Sequence, residues 1–282
     1  MRLLMVSAAS TSICLVVLIF FFLARESAPF IVKPGLGALF DTQWIPVSFI
    51  KERFGLLPLI TGSALVTGLS MLFTIPLSVL GAIYIAEIAS PVEREFLKPF
   101  IELLASIPSV VLGFFGLMVL APLIKHFFGL GTGLTALTGA FLLTLMAIPT
   151  VITLSEDAIN SVPRAYKDAS QALGASDLQT IFQVIIPAAL PGIIAAIMLG
   201  TGRVIGETMA VLMVTGNSAL MTWSPLAPVR TMTATIAAEM GEVSFGSIHY
   251  HSLFWIGLVL LAVTFILNII AQRVLVRYGM MK

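Results

Sequence analysis

Six long stretches without a charged residue constrain the fold of this chain more than any other feature. Each stretch has 21 to 33 residues. A helix needs about 20 mostly apolar residues to cross the roughly 30 Å hydrocarbon core of a bilayer. The stretches show no alternation of period two, so we predict helices and not strands. They are Leu3–Ala24, Phe54–Ala86, Leu103–Ile124, Phe127–Ser155, Leu178–Gly202 and Ser252–Gln272.

These stretches predict an all-α polytopic membrane protein with about six transmembrane helices. The predicted helices lie near 3–24, 58–86, 99–124, 133–155, 188–214 and 252–272. A further charge-free stretch, Thr208–Val229, is rich in glycine and proline, and we predict the end of the fifth helix followed by a loop. The first helix exceeds a signal-peptide core and has no clear cleavage site after it, so we predict a retained span.

The composition agrees with a membrane protein. Hydrophobic residues make up 59% of the chain and charged residues only 10%, with a net charge of +1. A soluble domain carries about 25% charged residues. A soluble enzyme, a disordered protein and a nucleic-acid-binding protein are therefore disfavoured. The one cysteine, Cys14, cannot form an internal disulfide and cannot hold a metal alone.

The loops predict a simple organisation. Residues 1–57 would hold the first helix and an outer segment, residues 58–272 a core of five helices with an inner loop at 156–187, and residues 273–282 a tail. The Lys and Arg counts favour both termini in the cytoplasm, by eight against six. The inner set is Arg2, Arg94, Lys98, Arg164, Lys167, Arg273, Arg277 and Lys282, and the outer set is Arg25, Lys33, Lys51, Arg53, Lys125 and Arg230.

The inner loop contains residues that typically begin and end helices. Ser161 is predicted to cap a short helix, and Gly174 is predicted to end it. Ser176 followed by Gln179 predicts a capping box for a second short helix, which Pro187 would end.

The first of these short helices has an apolar face made by Tyr166, Ala169, Ala172 and Leu173. This face could dock a partner, or it could lie on the inner end of the bundle or on the bilayer. The pattern alone leaves these alternatives open.

Two charged residues occur where the fifth helix is predicted. Arg203 and Glu207 are four positions apart, so on a continuous helix they would share a face and could neutralise each other. They would form a structural ion pair, or they would mark a substrate path. Gly202 and Gly206 would permit close helix packing.

An arginine inside a membrane path suits an anion, because its planar fork can donate two parallel hydrogen bonds to an oxyanion. Glu207 could accept a hydrogen bond from the hydroxyl of a protonated phosphate, which sulfate at neutral pH does not carry. Ser109 and Thr150 each follow a proline and could add hydroxyl groups to the path, although ordinary proline kinks explain both prolines equally well.

Other chemistry has little support. The pair His249 and His251 lacks a third ligand, so we expect no metal site. Glu102 follows Lys98 by four residues, and a helix-end ion pair is expected there. No P-loop and no hydrolase motif occurs, so we expect no catalysis and no cofactor.

The inner loop resembles the EAA loop of ABC importer permeases. Asp168-Ala169-Ser170, three residues, Gly174, nine residues and then Val184-Ile185-Ile186-Pro187 match the family spacing, with mild substitutions. The resemblance implies that Tyr166, Asp168, Ala169, Ser170, Gly174 and Pro187 belong to a loop that couples the permease to an ATPase subunit.

The segment Gly202–Val211 and the segment Glu102–Gly116 resemble PstC-type permeases of phosphate ABC importers. The resemblance implies a type I permease fold and a phosphate path at Arg203, Glu207 and Thr208. It also implies a PstA-type permease partner, two PstB-type ATPases, a PstS-type binding protein and a bacterial inner membrane. Two rivals stay open. One is a molybdate or sulfate permease, and the other is a secondary transporter in which Glu207 carries a proton.

Overall fold

The computed structural model describes residues 1–32, 35–48 and 51–277. Lys33, which was counted for the topology, and residues 278–282 of the predicted tail lie outside the described residues. The described helices are α1 (Arg2–Val32), α2 (Leu57–Ile83), α3 (Pro91–Ser106), α4 (Ser109–Phe115), α5 (Ala121–Phe128), α6 (Ala136–Asn160), α7 (Arg164–Ala172), α8 (Asp177–Thr180), α9 (Ile186–Gly206), α10 (Met209–Val214), α11 (Met232–Glu239) and α12 (Ile248–Arg277).

Shorter elements complete the described chain. Three π-helical segments continue α2, α4 and α8, at Tyr84–Ile88, Gly116–Leu120 and Ile181–Ile185. A 3₁₀ helix occupies Leu36–Phe40. Strands β1 (Trp44–Ile45) and β2 (Arg53–Phe54) pair antiparallel, with Trp44 opposite Phe54.

Six helical stretches are long and apolar enough to cross a membrane, which confirms the predicted fold class for the described chain. Three of these spans combine α-helical and π-helical segments without a break in the helix. The spans are Met5–Val32, Leu57–Ile88, Ser109–Phe128, Ala136–Asn160, Asp177–Gly206 and Ile248–Ile270.

The predicted third helix, 99–124, is wrong because the chain breaks before Ser109. Ile107 and Pro108 are both extended, with ψ of 126° and 139°. A residue before proline is pushed out of the helical region, so α3 ends and α4 begins afresh. The structure therefore has a separate α3, which starts at a capping box between Ser90 and Glu93.

The fifth helix, predicted at 188–214, is shifted towards the N-terminus. It starts at Asp177 and passes through Pro187, so the prediction that Pro187 ends the second loop helix is wrong. The π segment Ile181–Ile185 ends two residues before this proline, and local π turns accommodate prolines in membrane helices. The helix then ends at Gly206, and α10 is a separate turn and a half.

The core packs α2 against α6 and α6 against α9, while α1 lies along α12. Close approach of α6 and α9 depends on Gly200, because a Cβ atom there would collide with Val151. Gly202 and Gly206 do not pack against the described part of this chain, where no atom lies within 4 Å of a Cβ at either position; their role in helix packing stays a prediction. The division of the chain at residues 57 and 272 stays a prediction.

Candidate substrate path and coupling surface

Helix α9 ends between two candidate path residues, Arg203 and Glu207. Arg203 lies in the last turn of α9, whereas Glu207 follows the helix and is extended, with φ of −68° and ψ of 133°. Thr208 also leaves the helical region, with φ of −120° and ψ of −60°. The helical spacing that would place Arg203 and Glu207 on one face therefore does not continue to Glu207.

Arg203 is bound to Thr150 and not to Glu207. Its Nη1 donates a hydrogen bond of 2.9 Å to Thr150 Oγ1 on α6. No ion pair joins Arg203 to Glu207 in residues 51–277, so the predicted structural pair is not formed. The guanidinium is exposed on the surface of this chain and keeps further N–H donors available. This arrangement can bind an oxyanion.

Glu207 caps the next helix. Its Oε1 accepts a 3.2 Å hydrogen bond from the backbone N–H of Ala210, and its carbonyl oxygen accepts a 2.8 Å bond from Thr233 Oγ1. Thr208 Oγ1 donates to the carbonyl of Gly206. The side chain of Glu207 is half-buried, and in the described residues Oε2 has no hydrogen-bond partner, which leaves one carboxylate oxygen able to accept a proton donor.

A small cavity lies next to Glu207. Hydroxyl groups line one side of it, and its volume of about 10 Å³ holds about one water molecule. In this conformation a phosphate-sized ligand cannot occupy it. The hydroxyl-bearing residues, which the sequence analysis did not single out, are Ser63, Thr67, Thr231 and Thr233.

Ser109 lies on a helix that packs near Glu207, but among the described residues it does not contact the other predicted path residues through a hydrogen bond. It is the first residue of α4, directly after the Pro108 break, and α4 packs against α10. In the described structure no hydrogen bond joins Ser109 to Arg203, Thr150 or Glu207. Of the predicted path residues, the structure therefore brings Thr150 directly to Arg203 and leaves Ser109 at the start of α4.

The inner loop forms the predicted sharp turn between the short helix α7 and the helix that starts at Asp177, but this second helix is not short, because it continues into the fifth span. Gly174 has φ of +87°, a conformation that glycine adopts without strain, and the capping box between Ser176 and Gln179 is confirmed. The prediction for Ser161 is wrong, because Ser161 ends α6 while Pro163 precedes α7. The turn is closed further by a 2.9 Å hydrogen bond between Ser170 and Thr180.

The coupling candidates lie mostly at the surface. Leu173 is 91% exposed and Tyr166 is 52% exposed. Asp168 and Ala169 are exposed as well, and Pro187 is exposed in the first turn of α9. The apolar face of α7 is therefore left open by the described part of this chain.

One ion pair joins this loop to the second span, and another joins α3 to the end of the fourth span. Lys167 Nζ lies 2.8 Å from Glu87 Oε2 at the end of the second span. Lys98 Nζ lies 2.7 Å from Oε1 of Glu156, whose residue is only 3% exposed. The expected pair of Lys98 with Glu102 is therefore wrong. Helical spacing favours a pair of Lys98 with Glu102, four positions away. The tertiary fold instead brings Lys98 to the buried carboxylate of Glu156, which needs a charged partner.

Residues 75–278 match the family model described as binding-protein-dependent transport system inner membrane component. The matched segment covers more than half of the chain and includes both the helix break and the inner loop. The chain belongs to this family. It is thus a multi-pass membrane component of an ABC transport system and not an enzyme.

Curated relatives of this family member are similar over most of their length. The probable ABC transporter permease protein YqgH of Bacillus subtilis is 42% identical over 81% of this chain and 74% of the relative. The phosphate transport system permease protein PstC of Mesorhizobium japonicum is 33% identical over 86% of this chain and 79% of the relative.

Solved structures show the same fold for this family member. A bacterial alginate ABC transporter superposes with a TM-score of 0.67 at 17% identity, over 98% of this chain and 94% of that one. The MetNI methionine ABC transporter superposes with a TM-score of 0.59 at 18% identity, over 79% and 94%. The predicted fold of an ABC importer permease is therefore confirmed.

Metal chemistry has no support in the described residues, where no group of three His, Cys, Asp or Glu side chains could hold an ion. His249 Nε2 instead contacts Glu239 Oε2 at 2.8 Å, and His251 Nδ1 contacts the carbonyl of Glu26 at 2.7 Å. Both histidines therefore connect structural elements of the permease.

Proposed function

We propose that this chain is the channel-forming subunit of an ATP-driven importer of inorganic phosphate. Relatives named as phosphate transport permeases support the substrate. The observation that carries the proposal is the exposed guanidinium of Arg203, which Thr150 fixes at a break in a membrane helix. A guanidinium group held in one orientation can donate two parallel hydrogen bonds to a tetrahedral oxyanion.

Glu207 would select the protonation state of the substrate. One oxygen accepts the N–H of Ala210, and the other would accept the hydroxyl hydrogen of a protonated phosphate. A fully deprotonated dianion such as sulfate offers no such hydrogen and would be repelled by the carboxylate. Thr208 and Ser109 would add hydroxyl groups as the substrate moves along the path.

The chain would work with separate subunits. A PstA-type permease would complete the channel, two PstB-type ATPases would power it, one of them docked on the loop 156–187 of this chain, and a PstS-type protein would deliver phosphate from outside. Motion of the docked loop would reach the second span through the 2.8 Å contact of Lys167 with Glu87. The assembly would lie in a bacterial inner membrane, with both termini of this chain in the cytoplasm.

Radiolabelled phosphate uptake tests the proposal in cells that express equal amounts of each variant. Arg203→Gln should lower uptake by about tenfold or more, because a charge-assisted hydrogen bond contributes about 1.5–3 kcal/mol. Arg203→Lys should retain part of the activity, since it keeps the charge and loses the fork. Arg25→Gln, at an exposed position on α1, is the matched control and should behave as wild type.

Wild-type uptake by Arg203→Gln at equal expression would remove Arg203 from the path. Competition with sulfate and molybdate distinguishes the rival oxyanion permeases, because only the true substrate should compete fully. Transport that survives ATP depletion and stops when the proton gradient collapses would overturn the ATP-driven mechanism.

A further inference from the structure

Helix α3 is held at the membrane boundary by its two short connections. Only Ala89 and Ser90 separate it from the second span, and only Ile107 and Pro108 separate it from the third. Its 16 residues reach about 24 Å. It is not among the six candidate spans and carries five charges, which the hydrocarbon core does not tolerate on an isolated helix. The helix therefore lies at the end of the bundle, next to the bilayer surface.

One face of α3 packs on the protein. Leu97 and Ile101 contact the apolar cluster at the inner ends of the second, fourth and fifth spans. On the same side, Arg94 Nη2 donates a 2.7 Å hydrogen bond to the carbonyl of Ala86, and Lys98 Nζ binds Glu156 at 2.7 Å. Both cations of α3 are thus engaged by the protein itself.

The opposite face of α3 is a stripe of large apolar side chains, at helical spacings of four, four and three residues. The rings of Phe96 and Phe100 contact each other, with centroids 4.6 Å apart. Each member is strongly exposed. The stripe consists of Val92 at 76%, Phe96 at 63%, Phe100 at 57% and Leu103 at 62% exposure.

Acidic residues border this stripe. On a helical projection, Glu95 and Glu102 both lie about 100° to 120° from Phe96, on the same flank, and both are exposed. The helix therefore has a protein-facing side, an apolar stripe and a water-facing flank. Such a three-sided division is typical of a helix that lies in the plane of an interface.

We propose that α3 is an interfacial helix whose stripe inserts into the leaflet on the side of the loop 156–187. The stripe faces away from the bundle and continues into the exposed apolar surface of the third span, at Val110, Val111 and Phe114. In the membrane, acyl chains would cover this exposed span surface, and the same lipid would cover the stripe that precedes it. Through Arg94 and Lys98, the anchored helix would fix the depth of the second and fourth spans.

The charge of α3 specifies how it binds lipid. Three glutamates and two cations give the helix a net charge of −1, and both cations point to protein partners. Anionic headgroups therefore add no attraction, and insertion depends on the apolar area alone. The ligand is the acyl-chain region of any phospholipid, and not a particular headgroup.

Depth-dependent fluorescence quenching tests this proposal. Single cysteines replace Phe96, Phe100, Glu95 or Glu102 in a Cys14→Ser background of the full chain, purified with its partner subunits and labelled with bimane in nanodiscs. On a helix about 10 Å in diameter, side chains that lie 100° to 120° apart are separated by about 8 Å. Probes at Phe96 and Phe100 should therefore be quenched several-fold more by lipids brominated on the acyl chain than probes at Glu95 and Glu102. Aqueous iodide should give the reverse order.

Three results would overturn the proposal. Equal iodide quenching at all four positions would place the stripe in water. Protection of the Phe96 and Phe100 probes from both quenchers would mean that a protein subunit covers the stripe. Bromolipid quenching that appears with phosphatidylglycerol and disappears in pure phosphatidylcholine would mean that headgroup charge holds the helix. Val92→Cys and Leu103→Cys replace any stripe variant that does not fold.

Discussion

At the scale of single residues, the positions of Arg203 and Glu207 are explained by different partners. Thr150 orients the guanidinium through a 2.9 Å hydrogen bond, while Glu207 is turned away by the end of α9 and caps α10. The two residues therefore have separate partners, and in the proposed path a substrate would contact both without breaking an ion pair between them. Thr150 is a positioning residue in this arrangement.

Removal of the Thr150 hydroxyl tests this positioning role. Thr150→Val should raise the KM for phosphate uptake by about five- to tenfold, because Arg203 loses the acceptor that holds it and must be ordered by the substrate. The matched control is Thr153→Val, an exposed threonine on the same helix, which should leave KM unchanged. An unchanged KM in Thr150→Val would show that Arg203 needs no fixed orientation.

Substitution of Glu207 tests its proposed selectivity. Glu207→Gln keeps an amide oxygen that can cap Ala210, so the fold should be retained while repulsion of dianions is lost. We expect sulfate to become a measurable competitor of phosphate uptake, with at least about a tenfold change in the ratio of inhibition constants. Retained phosphate transport with unchanged selectivity would contradict the proposed role.

The buried carboxylate of Glu156 gives a prediction about stability. Lys98→Met should lower the free energy of unfolding by about 1–3 kcal/mol, because among the described residues it leaves the buried charge of Glu156 with Asn160 as its one hydrogen-bond donor. Glu156→Gln should cost less, and the double variant should recover part of the loss. Thermal unfolding in detergent measures all three. Additive losses in the double variant would show that the two side chains are not coupled.

At the scale of elements, helix breaks and π segments divide the long spans. The break at Glu207 and Thr208 separates α9 from α10, and the break at Ile107 and Pro108 separates α3 from α4. The π segments at Tyr84–Ile88 and Ile181–Ile185 lie close to the inner loop, and both contribute to one apolar cluster. The inner loop is therefore packed on elements whose helical geometry is already altered.

The coupling loop carries a prediction at this scale. Leu173→Glu should abolish co-purification of the ATPase and ATP-driven uptake, because Leu173 is a large apolar residue of this loop face and is 91% exposed. Leu220→Glu, which is 63% exposed beyond α10, is a matched control and should retain both. Retained ATPase binding by Leu173→Glu would remove this face from the docking surface.

At the scale of the whole molecule, Glu239 joins segments that are distant in sequence. Trp44 Nε1 donates to both of its carboxylate oxygens, at 3.1 and 3.2 Å, and Arg230 Nη1 lies 2.6 Å from Oε1. His249 completes the cluster at 2.8 Å. The β-hairpin, α11 and the start of α12 are therefore held together by one carboxylate.

The pKa of Glu239 predicts a pH dependence of stability. Burial by itself would raise this pKa, but hydrogen bonds from His249 and Trp44 and the charge of Arg230 outweigh burial and lower it below the ordinary 4.5. A lowered pKa stabilises the fold above pH 4.5, and this stabilisation is lost as the pH falls below 4.5 through the folded-state value. We expect the melting temperature to fall in that range.

Variants at Glu239 and Glu242 isolate this effect. Glu239→Gln should be less stable at pH 7 and should show a shallower fall in melting temperature below pH 4.5 than the wild type. Glu242→Gln, three residues further and exposed, should follow the wild-type curve. Parallel curves for Glu239→Gln and the wild type would show that another group controls the acid response.

The sequence by itself determined the membrane class, the six spans, the turn at Gly174 and the capping box at Ser176, because apolar length and local hydrogen bonding are short-range properties. It also identified Arg203 and Thr150, though not their contact. Only the tertiary structure decided which partner each charge takes. Lys98 binds Glu156 and not Glu102, Arg203 binds Thr150 and not Glu207, and Gly200 permits the close packing of α6 and α9. These choices depend on distant segments meeting in space, which helical spacing does not encode.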